Sequence, residues 1–100
     1  MPKAGDIVLV QIQFIDTHDI KIRPAMILFS EYNNIVVAGI TSNTTMQGIP
    51  LTIQEGAIKD SVIKINYIFT ISPHMIQKIL FSVTQQKKQA VFQALINKLH

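Results

Sequence analysis

The spacing of apolar residues changes once along this chain, after Thr84, and that change governs what it can fold into. Before it, short runs rich in Val and Ile are separated by polar residues, Gly, Pro or Asn, the pattern of strands and turns. After it, Val91, Leu95 and Leu99 recur every four residues with Phe92 and Ile96 beside them, the stripe of an amphipathic helix. Thr84 stands at the N-cap position of that helix, which is expected over residues 85–99. Many short strands followed by one helix predict a mainly β, α+β architecture: a small barrel or curled sheet with a C-terminal α-helix. At 100 residues the chain reads as a single domain, 1–100.

The strands are expected at 6–15, 25–29, 35–40 and 49–53, with 61–65 and 67–71 joining as one bent strand and 76–83 again extended. Pro24 cannot donate to a ladder and is expected at a strand entry. The Asn33-Asn34 pair is expected to supply left-handed residues to the turn at 30–34. Gly39, inside an otherwise β-branched run, marks a bulge or a close backbone approach. Ser72-Pro73 reads as the start of a single helical turn.

Composition narrows the chemistry. Without cysteine there are no disulfides or thiolate metal sites, and His18, His74 and His100 lack the spacing of a paired zinc motif. No carboxylate cluster has metal-ligand spacing, so neither a metal nor any other cofactor is expected. No apolar run approaches the ~18 residues of a membrane span and no secretory signal is evident, so a cytoplasmic protein without membrane contact is expected. The net charge of +3 tolerates a polyanionic partner, or is simply a solvated basic face. Arg23 is the single arginine beside eight lysines. With 48% of residues hydrophobic, the chain has more apolar surface than so small a domain readily hides, which points to a dimer or partner interface.

Gly5-Asp6-Ile7-Val8-Leu9-Val10, Arg23-Pro24-Ala25, residues 35–42 (IVVAGITS), Ser61-Val62-Ile63-Lys64 and Phe69-Thr70-Ile71 stand in this order ahead of the helix. As an ordered set they resemble the PemK/MazF-type toxins of type II toxin–antitoxin pairs, over nearly the whole chain. The resemblance implies an SH3-like β-barrel acting as a homodimer. It implies metal-independent cleavage of single-stranded RNA, leaving a 2′,3′-cyclic phosphate and a 5′-hydroxyl. It also implies a cognate antitoxin whose flexible segment covers the RNA groove. The family's functional arginine and threonine carry over to Arg23 and Thr41. Some relatives use Arg and Asp where this chain has Lys64 and Asn66, and an amide cannot act as a base.

Such cleavage needs a base for the 2′-hydroxyl, a stabiliser for the phosphorane and an acid for the leaving oxygen. A guanidinium fork suits the second task and, with a pKa above ~12, suits proton transfer poorly. Arg23 is therefore the expected phosphate clamp, and Thr41 the hydroxyl that binds phosphate or fixes Arg23. His18, five residues before Arg23, is the candidate base. Asp16, Asp19, Lys21, Ser42, Asn43, Lys64 and Asn66 complete the expected substrate contacts. Phe14, Tyr32, Tyr67 and Phe69 are aromatics that could stack on bases. Each has a plainer reading: Thr41 as a β-branched strand end, Arg23 as a surface cation, His18 as a solvated loop residue. A small barrel that binds nucleic acid or protein without catalysis is the competing function.

Overall fold

The computed structural model describes residues 2–13 and 19–100. Six strands form one antiparallel sheet: β1 Asp6–Gln13, β2 Ile20–Glu31, β3 Asn34–Thr41, β4 Ile49–Leu51, β5 Ser61–Ile71 and β6 Ile76–Ser82. Their spatial order is β4-β5-β3-β2-β1-β6. Helix α1, Gln85–Lys98, closes the chain. Short 3-10 turns at Ile53–Glu55 and Pro73–Met75 precede β5 and β6.

The continuous apolar runs are explained by burial on both faces of the central strands. Ile7, Met26, Leu28, Ala38, Ile40 and Ile63 pack on one side with Val91 of α1; Val8, Val10, Ala25, Ile27 and Val37 pack on the other. The sheet is curled, and its two edge strands β4 and β6 are not paired with each other. Side chains bridge that seam: the Phe81 ring on β6 lies against the backbone of Gly56, just after the turn that follows β4. The half-barrel with a C-terminal helix agrees with the expected fold class.

Helix α1 starts where predicted. The Thr84 hydroxyl accepts the backbone N–H of Lys87 at 3.1 Å, satisfying one of the free donors of the first turn. Lys87 Nζ then donates to the Pro50 carbonyl at 2.7 Å and pairs with Glu55 at 3.1 Å. Partly exposed ion pairs contribute about 0–1 kcal/mol. Burying one apolar side chain contributes roughly 1.5–3 kcal/mol. Val91, Phe92 and Leu95 against the core therefore hold the helix more than the ion pair does. The predicted stripe is buried only in its first half; Leu99 is 86% exposed.

Three local expectations need correction. Pro24 lies within a long strand, opposite Leu9, rather than at an entry. β2 runs from Ile20 because β1 pairs with it from Gln13 onward, and the ladder to β3 begins only at Ala25, so the missing N–H sits at the end of that second ladder. The left-handed residue of the β2–β3 turn is Tyr32, φ 56°, not an asparagine. The fourth strand stops at Leu51, because Thr52 and Glu55 form a reciprocal cap in which the Thr52 N–H donates to Glu55 Oε1 at 3.0 Å.

Gly39 marks both features its sequence position allowed. Ala38 faces Ile68 and Ile40 faces Ile63, so Gly39 alone spans residues 64–67 of β5, a wide bulge. A Cβ on Gly39 would lie 2.5 Å from Tyr67 Cδ2, so the tyrosine ring occupies the place of the missing side chain.

Candidate active site

The β2–β3 register sets Ala25 opposite Gly39 and Met26 opposite Ala38; continued two residues, it brings Arg23 across from Thr41. Two depressions meet at this pair. The larger, about 440 Å³, is lined by Arg23, Thr41, Ser42, Lys59, Ser61 and the apolar seam side chains Ile58 and Phe81 among others. The smaller, about 270 Å³, is lined by Arg23, Thr41, Met46, Lys64, Tyr67 and Phe69, with Ile12 and Gly39. Arg23, Pro24, Ile40 and Thr41 border both, and so form the divide between them.

Arg23 is exposed, and among the described residues no carboxylate pairs with it. Its fork of donors is therefore open to an anion, which it can hold through two parallel hydrogen bonds. The Thr41 hydroxyl oxygen accepts the backbone N–H of Asn43 at 3.1 Å. With that lone pair engaged, the hydroxyl proton is left to donate. Asn43 itself is committed to the turn, its carboxamide oxygen accepting the Thr45 N–H at 3.2 Å and the Thr45 hydroxyl at 2.6 Å.

The sequence candidates separate accordingly. Arg23, Thr41, Ser42 and Lys64 converge on the two depressions, whereas Asp19, Lys21, Asn43 and Asn66 are not among the lining residues. His18 and Asp16 lie outside the described residues, as does Phe14. Tyr67 and Phe69 line the smaller depression; Tyr32, at the β2–β3 turn, lines neither. Lys59 and Ser61 join the larger depression though neither was a site candidate, Ser61 standing only as the first residue of the family-like SVIK run; the return of β5 beside β4 brings them there. Among the described residues the charged side chains lining either depression are all cations: Arg23, Lys59 and Lys64. No described histidine or carboxylate lines them, and among the described residues no group of three or more His, Asp or Glu could hold a metal ion. Among the described residues no helix is long and apolar enough to cross a membrane.

The family model for PemK-like, MazF-like toxins of type II toxin–antitoxin systems matches residues 3–99. The chain belongs to this family. Solved structures of the same fold include the Mycobacterium tuberculosis toxin MazF-mt6, at 22% identity and TM-score 0.76, covering 94% of this chain and 95% of that one. MazE–MazF from Deinococcus radiodurans matches at 17% identity and TM-score 0.80, covering 98% and 95%. A mycobacterial endoribonuclease in complex with its cognate antitoxin matches at 16% identity and TM-score 0.76, covering 98% and 92%. Comparison with curated protein sequences gives no match.

Proposed function

We propose that this toxin-family chain is a metal-independent endoribonuclease acting on single-stranded RNA, with its phosphate site at the divide between the two depressions. The observation that carries this reading is the convergence of Arg23 and Thr41 there, with the arginine fork unpaired among the described residues. In the reaction the 2′-hydroxyl loses its proton and its oxygen attacks the adjacent phosphorus. The bond to the 5′-oxygen breaks, giving a 2′,3′-cyclic phosphate and a 5′-hydroxyl once that oxygen is protonated. Negative charge grows on the non-bridging oxygens, where a fixed guanidinium and a donating hydroxyl are most effective. Arg23 is assigned that stabilisation and Thr41 the supporting hydrogen bond. His18 remains the proposed base from its sequence position.

The active form is proposed to be a cytoplasmic homodimer restrained by a cognate antitoxin. The antitoxin complexes among the fold relatives support the latter partner. A non-catalytic binding module is the second reading, favoured by the lack of a described histidine or carboxylate lining either depression. Incubating the protein with a long unstructured RNA in EDTA separates the two. Cleavage is expected to persist in EDTA and to fall on the order of 10²–10³-fold in Arg23→Ala. Intact RNA under all conditions would establish the binding module, and undiminished cutting by Arg23→Ala would remove Arg23 from the site.

A further inference from the structure

We infer that Tyr67 and Phe69 form a stacking subsite for a single RNA base beside the scissile phosphate, a refinement that rests on the endoribonuclease reading. Tyr67 and Phe69 are two apart on β5 and so project to one side. Their ring centroids are 5.1 Å apart with planes tilted by 38°. Tyr67 keeps 47% of its surface exposed, although its ring is seated over Gly39. An aromatic pair that is braced from beneath yet half open offers a planar apolar surface with little ordering cost.

Three further observations favour a nucleotide as the occupant. The depression is about 270 Å³, just under the ~300–1,000 Å³ of drug-sized ligand pockets, which suits one base rather than a longer apolar segment. Its lining includes Arg23 and Thr41, so a base placed there shares the depression with the proposed phosphate clamp. Lys64 Nζ stands 5.9 Å from the Tyr67 centroid, at the outer reach of a cation–π contact of ~6 Å. A cation held that loosely is free to turn to the next phosphate. The bulge at residues 64–67 thus places a stacking ring and a cation on the same depression as Arg23.

Tyr67→Trp supplies the only tryptophan of the chain and a direct probe of stacking. It is titrated with single-stranded 2′-O-methyl RNA, which lacks the attacking hydroxyl, and with an abasic chain of equal length and charge. Quenching by the base-bearing strand and none by the abasic chain is the expected result. In parallel, Tyr67→Ala is expected to weaken binding of the base-bearing strand roughly 5- to 150-fold. Tyr67→Phe should restore it, and the abasic affinity should not move. Equal response to both chains, undiminished binding by Tyr67→Ala, or quenching by an antitoxin-type peptide but not by RNA would overturn the subsite. Quenching by the RNA from a protein that cuts no RNA would uphold the subsite while removing the nuclease reading. Cutting without any quenching would remove the subsite alone.

Discussion

A glycine decides how the Arg23 site is furnished on one flank. Gly39 lines the smaller depression with no side chain of its own, and a methyl group there would sit 2.5 Å from the Tyr67 ring. Tyr67 is half exposed and can rotate away, so Gly39→Ala is expected to cost less than about 1 kcal/mol of stability, well below a core overpacking of 1–3 kcal/mol. The ring, however, would leave its seat. Base-dependent RNA binding should therefore fall in Gly39→Ala nearly as far as in Tyr67→Ala, and the double variant should be no worse than either. That non-additivity is the mark of two residues acting as one unit. Additive losses in a double-mutant cycle of RNA affinity would show that Gly39 and Tyr67 act separately.

Two buried or half-buried carboxylates join elements that are distant in the chain. Asp6, at the start of β1, accepts from the Ser82 hydroxyl at the end of β6 and from the Lys3 N–H at 2.9 Å. Glu55 links the turn after β4 to α1 through Lys87. Burial pushes both pKa values up, but hydrogen bonds and the nearby lysines outweigh it, so both lie below their ordinary 3.8 and 4.5. A folded-state pKa held below the unfolded one stabilises the fold above the unfolded value, and that contribution is lost as pH falls through the folded value. The melting temperature is therefore expected to hold down to about pH 4.5 and then to drop. Asp6→Asn and Glu55→Gln should start lower and decline less steeply over the same range. If both variants track the parent slope in thermal melts from pH 5 to 2, these carboxylates are not the acid-sensitive links.

For the whole molecule, the strands and the helix were readable because apolar spacing reports burial locally. Their lateral order was not, since β4 beside β5 and β6 beside β1 are set by packing across the curl. The site divides in the same way. Arg23 and Thr41 were accessible through family likeness, and Gly39 through its interruption of a β-branched run. Lys59 and Ser61 were not, because an exposed lysine and a strand-start serine carry no mark of a groove that only the folded sheet assembles. The same assembly converts a diffuse charge of +3 into a cationic path in which Arg23, Lys59 and Lys64 line adjoining depressions. Single-stranded RNA releases counterions as its phosphates are neutralised, with a slope of about −0.7 in log affinity against log salt per contact. Three such contacts predict a slope near −2. Lys59→Gln should lower affinity and flatten the slope by about 0.7, while leaving the quenching of Tyr67→Trp intact, since Lys59 borders only the larger depression. Binding of the non-cleavable strand measured from 50 to 400 mM salt tests this. An unchanged slope in Lys59→Gln would mean the RNA path does not extend into the seam between β4 and β6.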